Sequence, residues 1–486
     1  MTDSGHGLLG TRYPDLARNT IDYWMQPDDP TMSAPHVLDA IARAPATPDS
    51  TLRLYLHVPF CAQRCRFCAF SGGNSLDYKQ AEEYAALLVA ELRASWARTA
   101  MKGQPIRSVN IGGGSPDLLG QSIETVLQAV QELPGFGEHT ELSVEMTLST
   151  VKQPFIDALA KHGVTKVSFG LQSLDPAVRG YMRQPKSLSA LHRALDWIDG
   201  RIPVVNADLM TGLPGQTRDG VAADLDTLME EPRISAISSY LLTAGAAPAL
   251  LAAVEAGTIP QLPAPLEQAL MRLSTYGAFR RAGWVRHGTN TYVDPKRIDS
   301  AVLARLAGDE CIGASRYETF LVGVGPQAVG SLPGVRVENI VDIEAWCAAV
   351  RRGEPPLYLP KCSTTAQRDI GLWTFPLRWE GLPYAALDAM RSSGAVSARQ
   401  LATLSAFGRE GLIVAGAEGY ALSLLGEVFM GHLVRDLKGE ASRAAVDAYV
   451  REGAALGSAI ASGRTRDGNQ ANNRQRVLHS LSPRRV

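Results

Sequence analysis

Three cysteines, Cys61, Cys65 and Cys68, fall within eight residues of "LHVPFCAQRCRFCAF" in the spacing C-x3-C-x2-C. Thiolates this close suit an iron–sulfur cluster or zinc. A closed zinc site needs a fourth ligand. His57 is the nearest one, and the chain has no second C-x2-C pair to complete the usual tetrahedral set. The other cysteines, Cys311, Cys347 and Cys362, share no ligand spacing and read as small buried apolar residues. Six cysteines in 486 residues, half of them in one loop, do not make a disulfide scaffold, so the thiols are expected to be reduced.

Such a loop must be carried by something rigid, and the surrounding pattern supplies it. From Leu52 on, short apolar runs alternate with helical segments: "LRLYLHV" then "YKQAEEYAALLVAELRASW", "IRSVNI" then "SIETVLQAVQEL", "ELSVEM" then "VKQPFIDALAKHG". The series continues through "VTKVSFG", "IPVVNADLM" and "ISAISSYLL", each followed by a helical stretch. Six strand–helix units predict an α/β fold with a parallel sheet covered by helices, wound as a barrel or as an open doubly wound sheet. In either, ligands sit at the C-terminal ends of the strands, and the cysteine loop directly follows the first strand. Residues 1–50 are rich in Pro, Asp and Ala with little periodicity and end in the linker-like "RAPATPDST".

The stretch "YLHVPFCAQRCRFCAF" resembles the cluster loop of the radical S-adenosylmethionine (SAM) enzymes, in the HemN-like branch typified by oxygen-independent coproporphyrinogen oxidase. The resemblance runs from Leu52 to about Ser331 and implies a partial (βα)6 TIM-like barrel. It also answers why there are three thiolates and no fourth: they hold three irons of a [4Fe-4S] cluster, and the open iron chelates SAM. "NIGGGSPDLL" resembles the glycine-rich SAM loop, with Gly112, Gly113 and Gly114, whose backbone can approach a ligand closely. By the same resemblance Glu145 in "ELSVEM" meets a SAM ribose hydroxyl. In "VSFGLQSLDPAVRGYMR", Gln172 is a SAM contact and Arg183 pairs with a SAM carboxylate. Asp208 in "NADLMTGLPGQT" also contacts SAM, and Gln172 and Asp208 are the two placed in catalytic roles. Phe67 lies next to the adenine and Tyr55 caps the cluster region.

"ETFLVGVGPQAVGSL" resembles the segment that closes the barrel region, and the pattern from "CSTTAQRDIGLWTF" to "GEVFMGHLVRDL" that of the HemN-type winged-helix-like module. The expected organisation is an N-terminal extension (1–50), the barrel (51–300), a connecting region (301–360), the C-terminal domain (361–452) and a disordered tail (453–486).

Within the branch, coproporphyrinogen oxidase continues its motif with a fourth cysteine where this chain has Phe70. The haem chaperone carries an "HNxxYW" motif that "RHGTNTYVDP", with His287, Asn290 and Tyr292, does not match. The methyltransferases called class C share the phenylalanine. Their resemblance implies two SAM molecules, radical activation of the second one's methyl group, and methyl or methylene transfer to an sp2 carbon. Composition rich in Ala, Gly and Arg favours a natural-product substrate, with anaerobic haem degradation, haem carriage and oxidase-like chemistry as alternatives. An electron donor such as flavodoxin or ferredoxin is implied, and a methyltransferase-like protein could complete ring closure. The formal charge of -1 gives no general case for nucleic acid or an anionic membrane. No apolar run is long enough to span a bilayer and no secretory signal is present, so the expected location is cytoplasmic.

Overall fold

Leu52, Leu54, Leu56 and Val58 alternate with Arg53, Tyr55 and His57 along β1 (Thr51–Val58), and this two-residue period decides what each sheet face does. The four aliphatic side chains join the main apolar core. Arg53, on the opposite face, donates to Ser108 Oγ of the next strand. The computed structural model describes residues 31–45, 50–68, 76–101, 104–306, 319–332, 335–362, 377 and 381–440, with isolated positions beyond.

Five more parallel strands continue the wall: β2 (Ile106–Gly113), β3 (Glu141–Met146), β4 (Lys166–Gln172), β5 (Val204–Thr211) and β6 (Ala236–Leu241). They pair in chain order, each with the next. Helices fill the crossovers: α2 (Tyr78–Arg98), α3 (Ile123–Gln131), α4 (Gln153–Lys161), α5 (Pro176–Tyr181), α6 (Ser189–Ile198) and α7 (Arg218–Glu230). The expected α/β fold with a central parallel sheet is thus present.

The helix α1 (Ala34–Arg43) precedes this wall, inside the segment whose sequence reads as aperiodic. Ten residues are too few for a convincing period, yet the helix has Val37 buried and sets Ile41 against the main core. After β6 come α8 (Pro248–Glu255) and α9 (Pro265–Ala282), the latter ended by Gly283 in the left-handed conformation. A hairpin of β7 (Val285–Arg286) and β8 (Thr291–Val293) then pairs antiparallel with β6.

Beyond α10 (Ser300–Arg305), strand β9 (Thr319–Val324) runs parallel beside β1, followed by β10 (Val329–Leu332) and β11 (Val335–Glu338). The "GVGP" segment therefore extends the β1 edge. Among the described residues no pairing joins β9 to β6, so the wall stays open between them.

Helix α11 (Ile343–Arg351) brings Trp346 onto α2, where the buried Glu91 fastens three elements. Its carboxylate accepts from Gly325 N (2.7 Å), Trp346 Nε1 (2.8 Å) and Asn339 Nδ2 (2.6 Å). The C-terminal part places β12 (Leu382–Pro383), β13 (Ile413–Ala415) and β14 (Gly419–Leu422) in a small antiparallel sheet with α12 (Tyr384–Ser392) and α13 (Ala398–Arg409). Leu241 and Ala269 of the barrel share its apolar cluster, and Glu427 ties it to Arg280 and Tyr292. Among the described residues, no helix is long and apolar enough to cross a membrane. Phe70, Cys311 and the tail past 455 lie outside the described residues.

Burial pushes the Glu91 carboxyl up to about 7, against the downward pull of its three donors. Between the usual glutamate range and pH 7 the folded protein therefore holds a proton that the unfolded chain has released. Its stability falls across that window, by an amount on the order of 3 kcal/mol. Urea unfolding of Glu91→Gln at several pH values should remove this share of the slope; an unchanged slope would contradict the assignment.

Candidate active site

All three thiols sit in the loop that leaves β1, at the C-terminal edge of the parallel sheet. That loop is held from two sides. On one, Gly114 N donates to Val58 O and Ser115 N to Phe60 O, both at 2.7 Å, so the turn after β2 is stitched to the turn after β1. On the other, Arg66 N donates to Met182 O (3.1 Å) and Arg66 Nη1 to Tyr181 O (2.6 Å), which fastens the loop to the end of α5.

The glycine triplet serves that packing. A Cβ on Gly112 would meet the Glu145 carboxylate at 2.5 Å. One on Gly113, where φ is +112°, would strike the His57 ring at 2.5 Å, and one on Gly114 would collide with Phe60 O. The space that the sequence reads as room for a ligand's approach is thus occupied, at these Cβ positions, by protein atoms. Glu145 lies where the strand pattern puts it. Its Oε2 accepts from Gly113 N and its Oε1 from Asn110 Nδ2, both at 3.1 Å, while burial raises its pKa. Asp208, on the same face of β5, accepts from Asn206 Nδ2 at 2.8 Å.

Gln172 ends β4 with φ at +66°, and Arg183 follows α5 with φ at +59°, both in the left-handed region that non-glycine residues seldom adopt. Arg179 fixes the turn between them, donating from Nε to Pro185 O and from Nη1 to Leu171 O and Ser173 O. Gln172 Oε1 and Gln184 Oε1 are buried with no hydrogen-bond partner in the protein. Buried carbonyls in that state are expected to be met by a donor from elsewhere. Phe67 packs against an apolar cluster of Val178, Met182, Leu213, Leu242 and Leu250. Tyr55 packs on Leu321 and Ala328 and shares a 2.8 Å hydrogen bond with His57 Nδ1.

The donor chemistry fits a polynuclear cluster. Burial, then the charge of Cys68, push the Cys61 thiol up to about 11; burial, then Cys68 and Cys61, push Cys65 up to about 12. Three ionised thiols this close are stable only around a strongly cationic group. Among the described residues no group of three His, Cys, Asp or Glu is gathered closely enough to hold a single ion, the three cysteines and His57 included. His57 is buried beside Gly113, its pKa lowered by burial to about 4.

Several neighbours escape a motif reading: Asn110, Asn206, Arg179, Gln184 and Asp117. Strand parity could have found the first two, each two residues from a predicted site residue. Asp117 belongs to no such period. It accepts from Thr147 N at 2.9 Å while burial pushes its carboxyl up to about 6. In the "RHGTNTY" segment, Tyr292 stacks on Phe279 at 4.2 Å as core, whereas Asn290 O accepts from Ser239 N in the middle of β6.

Residues 55–228 match the Radical SAM superfamily. The chain is 28% identical over 326 residues to an oxygen-independent coproporphyrinogen III oxidase of Cereibacter sphaeroides, covering 65% of this chain and 70% of that protein. It is 30% identical over 274 residues to the heme chaperone HemW of Mycobacterium tuberculosis, covering 52% and 67%. A Paracoccus denitrificans coproporphyrinogen III oxidase is 32% identical over 202 residues, of which the chain covers only 44%. The structure of coproporphyrinogen III oxidase (HemN) from Escherichia coli superposes with a TM-score of 0.65 at 19% identity, over 84% of this chain and 96% of that one.

Because Gly114 stitches the cysteine loop to β2, Gly114→Ala should cut iron and sulfide incorporation on anaerobic reconstitution severalfold. Gly408→Ala, in α13 with nothing near its Cβ and an ordinary helical backbone, serves as the control. Equal incorporation in both variants would show that the stitch does not place the loop.

Proposed function

Because the chain belongs to the HemN-like branch of the radical SAM superfamily, we propose that it is a radical SAM enzyme that methylates a carbon of a tetrapyrrole macrocycle, using two SAM molecules. The observation that carries the substrate class is that the relatives sharing most of the barrel are named for a porphyrinogen or for haem. This moves the substrate away from the specialised natural product that composition favours. Phe70, at the place of the oxidase's fourth cysteine, argues for methyl transfer over oxidative decarboxylation.

When bound, the [4Fe-4S] cluster supplies the electron that splits SAM into methionine and a 5'-deoxyadenosyl radical. Cys61, Cys65 and Cys68 would hold it. Glu145 and Asp208 would accept hydrogen bonds from SAM, and Arg183 would pair with a SAM carboxylate. Gln172 Oε1, buried and without a partner, would take up a SAM donor. The wall from Leu241 to Val254 carries no ionisable side chain and packs beside Phe67, which suits the flat apolar face of a macrocycle. These elements keep water from the radical and orient the reacting carbon, while the cofactor does the chemistry.

Haem carriage is the second reading, favoured by the two-thirds of HemW that the chain covers. The reconstituted protein, reduced in the presence of SAM bearing a trideuterated methyl group, should incorporate deuterium into 5'-deoxyadenosine and into a methylated product when haem is supplied. With Asp208 read as serving the second SAM, Asp208→Ala should keep cleavage of the first SAM to 5'-deoxyadenosine, weaken binding of the second and lose the methylated product. Stoichiometric haem binding with a Soret shift and no SAM turnover would favour the carrier. Decarboxylation of coproporphyrinogen III without deuterium in the nucleoside would favour the oxidase.

A further inference from the structure

On two different strands, a carboxylate is held by the same three-residue device. Asn110 Nδ2 donates to Glu145 Oε1 at 3.1 Å, and Asn110 Oδ1 accepts from the Ser143 hydroxyl at 2.7 Å. Asn206 Nδ2 donates to Asp208 Oδ1 at 2.8 Å, and Asn206 Oδ1 accepts from the Ser238 hydroxyl at 3.1 Å. Both asparagines and both serines are buried. We propose that Asn110 and Asn206 are positioning residues that hold the Glu145 and Asp208 side chains aimed at SAM; this rests on the reading of those two carboxylates as SAM contacts.

The carboxylate decides the direction of each device. An ionised carboxylate only accepts, so the amide N–H pair faces it and the amide oxygen turns to the serine hydroxyl, which can donate. The donated hydrogen bond favours the ionised carboxylate over the protonated one, against the burial that raises the Glu145 pKa. An ionised acid is the form able to accept a ribose hydroxyl or an ammonium from SAM. Strand geometry supplies the reach. Asn206 and Asp208 are two apart on β5 and share a face, while Ser238 stands on β6, next to β5 in the sheet. Ser238 in turn hydrogen-bonds Thr291 Oγ1 at 2.8 Å, so the β7–β8 hairpin is the outer anchor of the Asp208 device.

A donor role and a space-filling role give opposite orders of effect. Asn206→Asp keeps the volume but sets an acceptor against an acceptor, whereas Asn206→Ala leaves a gap that water can enter. SAM affinity is measured by anaerobic calorimetry on the cluster-reconstituted protein at about pH 8, with thermal unfolding as the check on folding. Asn206→Ala is expected to weaken SAM binding roughly tenfold, and Asn206→Asp to weaken it further. Wild-type affinity in Asn206→Asp, with affinity lost in Asp208→Ala, would overturn the positioning role. Wild-type affinity in Asp208→Ala would overturn the reading of Asp208 itself and the proposal with it. If Asn206→Asp fails to fold, Asn110→Ala and Asn110→Asp carry the same ordering test at Glu145.

Discussion

Three thiols read as the ligands of one cluster must stand close together, and the loop carrying them has to be held in place before a cluster can bind. The loop between β1 and α2 is held by backbone groups on one side, Gly114 and Ser115 against Val58 and Phe60, and by Arg66 against the end of α5 on the other. Much of the site follows from those two attachments. The first demands residues without a Cβ at the end of β2 and just beyond it, since Glu145, His57 and Phe60 already fill the space. The second places Cys65 beside Gln184 and Arg179, and so next to the left-handed turn that carries Gln172 and Arg183.

The parallel wall has a division of labour set by strand parity. One face sends aliphatic side chains into a single large core, while the other is lined by Arg53, His57, Ser108, Asn110, Ser143, Asn206 and Ser238, most of them joined by hydrogen bonds. Buried polar groups are tolerated only when satisfied, and here satisfying them also orients the carboxylates at the strand ends. The stretch from Leu241 to Val254 instead carries no ionisable side chain and packs with Phe67 in an apolar cluster.

Much of this is legible in the sequence because it depends on local patterns. The cysteine spacing, the strand ends at Glu145 and Gln172, and the six strand–helix units all follow from periods of a few residues. What escapes depends on contacts distant in sequence. Helix α1 is short and is fixed by packing on the core; Glu91 finds its donors in Gly325, Asn339 and Trp346, more than two hundred positions later. The glycines gain a packing role for the same reason, since only the fold shows that the spaces beside their Cβ positions are full. Asn110 and Asn206 sit between these cases, on the correct strand face but given meaning only by Ser143 and Ser238 from neighbouring strands.

The most direct test of the central claim needs no substrate. The protein is reconstituted anaerobically with iron and sulfide, reduced in the presence of SAM, and analysed for 5'-deoxyadenosine, beside Cys61→Ala, Cys65→Ala and Cys68→Ala. The three-thiol site predicts cluster absorbance and reductive SAM cleavage in the wild type, and neither in any of the three variants. A wild-type protein that assembles its cluster and leaves SAM intact, or a cysteine variant that still cleaves it, would contradict this account.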